Sequence, residues 1–112
     1  MTGDGPTSGA ELEWLVWEEL RQCFDPEIPL NIVELGLVYG VRTVPVADGG
    51  HRVEVQMTVT SPACGMSEIL HDEVDARLRR LPGAREVDVQ VTFDPPWTPE
   101  RMTADARALL NL

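Results

Sequence analysis

The 112-residue chain contains no lysine, and its nine arginines face nineteen Asp and Glu residues, for a formal net charge of −10. Such a balance repels a phosphate backbone at long range and argues against nucleic acid as a partner. Long hydrophobic runs are missing as well: no stretch approaches the roughly 20 apolar residues that span a bilayer, so no membrane segment is expected. Residues 1–9 hold Gly, Thr, Ser, Asp and Pro with neither a basic start nor an apolar run. They lack the pattern of a secretory signal and read as a flexible tail before one domain over 10–112, which makes the cytoplasm the default location. Cysteine is scarce, with Cys23 and Cys64 standing 41 positions apart. A reducing compartment keeps an isolated pair of this kind as thiols. No CxxC, HExxH, P-loop, GxSxG or dinucleotide fingerprint occurs, so the usual signatures of redox, hydrolytic and nucleotide chemistry are absent. What remains is an ordinary globular composition, 43% apolar and 25% charged, long enough for one core.

Hydrophobic spacing divides that core into elements. Ser8 with Glu11 reads as a capping box, and Leu12, Leu15, Val16, Leu20 and Cys23 then line one face of a helix over about 9–23. Two prolines in Phe24-Asp25-Pro26-Glu27-Ile28-Pro29 stop it and form a stiff loop. Asn31 to Leu35 fits one helical turn ended by Gly36, and Leu37 to Val44 reads as a strand. A turn at Ala47-Asp48-Gly49-Gly50 leads into Arg52 to Thr60, where Val53, Val55, Met57 and Val59 alternate with polar residues. From Met66 the period changes to that of a helix, carried by Ile69, Leu70, Val74, Leu78 and Leu81 and ended at Pro82-Gly83. Val87, Val89, Val91 and Phe93 form a third strand closed by Asp94-Pro95-Pro96. Thr98 and Pro99 are expected to cap a last helix. The order α-β-β-α-β-α predicts an α+β domain, a small mixed three-stranded sheet with helices packed on it, the helical crossover making the third strand parallel to the second.

Cys64 carries the most chemistry, because it stands where a strand ends and a helix begins, beside backbone N–H groups without intrahelical partners. This position favours the thiolate, the form that binds metal or attacks an electrophile. A small buried cysteine in a tight turn is the plain alternative. Cys23 closes an apolar stripe and reads as a small hydrophobe. Asp25 and Glu27 flank Pro26, where their carboxylates are held for metal capture or form an Asx turn and a solvated side chain. Thr60 and Ser61 precede Cys64 with hydroxyls suited to a thiolate or to capping the next helix. His51 and His71 show no ligand spacing with Cys64 and read as exposed. One cysteine cannot complete a metal site of about four ligands, so a homodimer or a partner would have to share one. Trp97, aimed by two prolines, serves as an interface anchor or packs on the last helix.

The runs Asp25-Pro26-Glu27-Ile28-Pro29, Ile32-Val33-Glu34-Leu35-Gly36-Leu37-Val38-Tyr39, Thr60-Ser61-Pro62-Ala63-Cys64 and Phe93-Asp94-Pro95-Pro96-Trp97 resemble, in order and spacing, the SufT-like and PaaD-like metal–sulfur cluster assembly domain. The resemblance covers Leu12 to Leu112. It implies a compact α+β accessory protein that matures or delivers iron–sulfur clusters, with Cys64 as its functional thiol. Asp25, Glu27, Thr60, Ser61 and, more distantly, Glu34 match the family's supporting positions. Gly65 departs from the proline common after the family's cysteine, which loosens the turn. The cysteine-rich C-terminal extension of longer PaaD-like proteins, which serve phenylacetyl-CoA oxygenation, has no counterpart here, so the SufT-like role is favoured.

These readings lead to a non-enzyme with no tightly bound cofactor, in which Cys64 transiently holds iron or a cluster. The partners implied are the iron–sulfur assembly machinery and client apo-proteins. A metal-free adaptor working through Trp97, a PaaD-like maturation factor and a thiol enzyme are the alternatives.

Overall fold

Ser8 caps the first helix in the expected way: its hydroxyl accepts from Glu11 N at 3.1 Å while Ser8 N donates back to the Glu11 carboxylate at 3.4 Å. The computed structural model describes residues 8–25, 28–47, 49–60 and 66–110. Helix α1 (Gly9–Leu20) is followed by β1 (Val38–Pro45), β2 (His51–Met57), α2 (Met66–Leu78), β3 (Ala84–Val91), a 3-10 turn (Pro99–Arg101) and α3 (Ala104–Leu109). This is the α+β order expected. The sheet runs β1-β2-β3, with β1 antiparallel and β3 parallel to β2. Parallel pairing follows from the crossover through α2, which returns the chain to the same end of the sheet.

One face of the sheet is apolar and carries both long helices. Val53, Val55, Met57 and Val89 meet Leu12, Val16 and Leu20 of α1 and Leu70, Val74 and Leu78 of α2, all buried. Each such side chain contributes about 1.5–3 kcal/mol on leaving water, so the periodicities of 3.6 and 2 in the sequence specify the same core. The opposite face is polar. There Glu54 accepts from Arg42 at 3.2 Å and from Arg52 at 2.9 Å, while Arg52 also lies 3.8 Å from Glu86.

Several boundaries differ from expectation. Helix α1 ends at Leu20, and Cys23 reaches the core through a turn closed by Cys23 N to Leu20 O at 3.1 Å. Strand β2 ends at Met57 because Thr58 N turns to Leu37 O, although Thr58 and Val59 remain buried. Phe93 lies beyond β3 and is half exposed, because the chain turns at Thr92 and Asp94. Thr98 makes no side-chain cap, and Pro99 opens only a 3-10 turn. The final α-helix is capped by Thr103, whose hydroxyl accepts from Ala106 N at 3.1 Å. A second threonine five residues on, with no proline to disturb it, won that role. Among the described residues no helix is long and apolar enough to cross a membrane.

Candidate functional site

The loop after α1 is drawn back on itself by Asp25 N to Leu30 O at 3.1 Å and by a bridge between Phe24 and Asn31. Asp25 is 5% exposed, and its carboxylate accepts from Ile28 N at 2.8 Å, the Asx-type bond expected of an Asp before proline. The second oxygen accepts from Thr60 Oγ1 at 3.2 Å. This hydrogen bond joins two segments 35 positions apart in the chain, the acidic loop and the exit of β2. Glu27, Ser61 and Cys64 lie outside the described residues, as does Gly65. Their segment, 61–65, runs from Thr60, tied to buried Asp25, to Met66, where α2 begins. Cys64 stands two positions ahead of that first helical residue.

The first turns of α2 and the loop after α1 combine acidic and apolar surface. A shallow hollow of about 260 Å³ beside the first turn of α2 is lined by Ser67, Glu68, His71, Asp72 and Val91. Ile69 on the same turn is 66% exposed and Phe24, next to Asp25, is 53% exposed. Among the described residues no group of three or more His, Cys, Asp or Glu is arranged to hold a metal ion.

Cys23 has the structural character read from its stripe. It is fully buried, and its Sγ donates to Glu19 O at 3.7 Å. Burial first, and then the carboxylate of Glu73, push its thiol up from 9.0 to about 12. The protonated thiol therefore supports the fold fully below about pH 9, and this contribution is lost as pH rises toward 12, because the unfolded chain ionises first. In a Cys64→Ala protein, a thiol reagent at neutral pH should leave Cys23 unmodified in buffer and modify it completely in denaturant; rapid labelling of the folded protein would contradict its burial.

The remaining sequence candidates are drawn into a second constellation. Trp97 Nε1 donates to Leu35 O at 2.6 Å, so this indole, packed partly against the core, straps the C-terminal segment to the turn before β1. Glu34 acts there through its backbone: its N–H donates to Asn31 Oδ1 at 2.9 Å and its carbonyl accepts from Thr103 N at 2.9 Å. Asn31 and Tyr39 were not singled out in the sequence. Asn31 Oδ1 accepts from both Val33 N and Glu34 N and so caps the turn, a role that Asn at a turn start could have signalled. Tyr39 donates its hydroxyl to Pro95 O at 2.7 Å and lies under the Arg101 guanidinium, 4.7 Å from ring centre to Cζ. Only a cross-chain contact reveals that pairing.

Neither histidine is a freely solvated side chain. His71 places Nε2 3.0 Å from Val89 O and Nδ1 3.1 Å from Asp72 Oδ1. His51 starts β2, and its Nδ1 is buried without a hydrogen-bond partner among the described residues. The expectation of two exposed histidines fails because His71, on α2, lies against the β3 backbone and His51 packs beside Gly9 at the start of α1.

Residues 15–91 match the family model described as iron-sulfur cluster assembly protein. The chain is 37% identical over 93 residues to the Fe-S protein maturation auxiliary factor YitW of Bacillus subtilis, covering 83% of this chain and 87% of that one. It is 38% identical over 88 residues to the Fe-S protein maturation auxiliary factor SufT of Staphylococcus aureus, covering 79% and 96%. A crystal structure of a domain of unknown function from Bacillus anthracis superposes with a TM-score of 0.79 at 31% identity, covering 93% of this chain and 95% of that chain. With the family model matched over residues 15–91 and these relatives 37% and 38% identical over most of their length, the chain belongs to the iron–sulfur cluster assembly protein family.

Proposed function

We propose that this chain is a non-catalytic auxiliary factor of iron–sulfur protein maturation, in which Cys64 transiently holds iron or a cluster and passes it to client apo-proteins. The observation that carries this reading is the Asp25–Thr60 hydrogen bond, which ties the start of the Cys64 segment to a buried carboxylate. The start of α2 two positions later supports a thiolate, because unpartnered N–H groups and the helix dipole favour negative charge there. Glu68 and Asp72 at the adjacent hollow raise the local concentration of cations. Exposed Phe24 and Ile69 supply apolar surface for a client. Glu27 and Ser61 belong to the same proposal, Glu27 as a metal-capturing carboxylate and Ser61 as a hydroxyl near the sulfur. A cytoplasmic setting belongs to it too, since a reducing compartment keeps Cys64 free to react. The partners in this reading are the assembly machinery and apo-proteins of the kind named for the relatives.

Anaerobic reconstitution with iron and sulfide tests the carrier role. The wild-type protein should develop a cluster absorption band and retain iron after desalting, and Cys64→Ala should show neither. No band in either protein would overturn the carrier role and leave the adaptor reading, in which clients are recruited without metal chemistry.

A further inference from the structure

The two edges of the sheet are treated differently. On the β3 edge, the Val89 carbonyl is covered by His71 Nε2 at 3.0 Å and the Val87 carbonyl by Arg79 at 3.4 Å, so side chains of α2 and of the residue just after it occupy the acceptors that another strand would need. Among the described residues the β1 edge has no such cover of its backbone; the contact from α1 there is Gly9 O accepting from the Thr43 hydroxyl at 3.3 Å. His51 N donates to Gly83 O and Met57 O accepts from Thr92 N, so the odd-numbered residues of β2 turn their peptide groups toward β3. The even-numbered ones face β1, where Gly40, Arg42 and Val44 are opposite Gln56, Glu54 and Arg52. Val41 and Thr43 consequently point their N–H and C=O outward. Among the described residues no hydrogen bond reaches these groups.

We infer that this edge pairs with the same edge of a second copy, β1 antiparallel to β1, extending two three-stranded sheets into one of six strands. The register follows from the residues. A two-fold axis at Val41 lets each Val41 exchange two hydrogen bonds with the partner's Val41. It also sets Arg42, whose side chain is 72% exposed, opposite the partner's Gly40, where even a Cβ would meet nothing within 4 Å. Moving the axis to Arg42 would place the two guanidinium groups directly opposite, which is unfavourable. Moving it to Thr43 would set Val41 against the partner's Pro45, which has no N–H to give. The bulge between Val38 and Gly40 and the proline at position 45 limit the pairing to a few residues, so the association is weak and concentration-dependent. Strand β1 contains no acidic residue, so two copies of this strongly acidic chain meet where their repulsion is least.

Sedimentation equilibrium over a concentration series tests this independently of any role in cluster maturation. Gly40→Glu should tighten the dimer by placing a carboxylate opposite the partner's Arg42, and Gly40→Arg should weaken it. Each shift in dissociation constant should be about five- to tenfold, because symmetry makes every new contact twice. Thr43→Pro removes an outward-facing backbone donor, together with the hydroxyl that donates to Gly9 O at 3.3 Å, and should abolish dimerisation with the circular dichroism of a folded protein. Wild-type and Gly40→Glu proteins that stay monomeric throughout, or a dimer whose constant ignores both charge variants, would overturn the inference.

Discussion

Cells carrying Cys64→Ala in place of the wild-type protein should fail to mature client iron–sulfur enzymes, while the purified variant melts within about 4 °C of wild type. The expected loss is complete because the other thiol cannot substitute. Cys23 is fully buried and its thiol is pushed up to about 12, so it supplies essentially no thiolate at neutral pH. Thr60→Val is the graded companion. It keeps Cys64 but removes the hydroxyl that donates to Asp25, leaving that buried carboxylate with one fewer partner. Client activity should fall only partly, with a stability loss of about 1–3 kcal/mol. Normal client activity in the Cys64→Ala strain would remove the thiol from the mechanism altogether.

Gly36→Ala should lower stability by about 3 kcal/mol and the melting temperature by about 10–20 °C. Two penalties add. Gly36 has φ +76°, a left-handed conformation that costs a residue with a side chain about 1–2 kcal/mol. A Cβ would also overlap the Arg101 carbonyl, and the backbone shift needed to relieve this costs about 1–3 kcal/mol. The displaced segment is the strap formed by Trp97 on Leu35 and Thr103 on Glu34, so the damage spreads into the C-terminal third of the chain. A thermal melt followed by circular dichroism decides it: an unchanged midpoint would mean that Arg101 can move away at no cost.

The candidate site was legible in the sequence to different degrees. Asp25 and Thr60 are each legible alone, one for its place beside Pro26 and one for its hydroxyl ahead of Cys64; their direct hydrogen bond is not, because 35 positions separate them and no local rule brings them together. Trp97 was readable as packing or as an anchor, and its indole N–H is bonded within the molecule at 2.6 Å. Asn31 and Tyr39 are legible only as members of a helical turn and of a motif run; the role of Tyr39 is hidden because its partners Pro95 and Arg101 lie on a distant segment. The last helix starts one threonine later than the local pattern suggests. Thr98 followed by proline and Thr103 followed by Ala104 both satisfy the local pattern, and only Thr103 has a hydroxyl positioned for a backbone donor, Ala106 N.

Sequence by itself determined the elements and their layering. Apolar residues at intervals of 3.6 in α1 and α2 and of 2 in β2 and β3 leave one arrangement that buries every stripe, with both helices on the same face of the sheet. The helical crossover through α2 then set β3 parallel to β2. Tertiary structure alone decided which polar groups meet: Asp25 with Thr60, Tyr39 with Pro95, Trp97 with Leu35, and the open β1 edge against the covered β3 edge. The physical reason is that burial is a property of each residue and its period, readable one position at a time. A hydrogen bond requires two groups within about 3 Å in a defined direction, which is known only once the chain has folded.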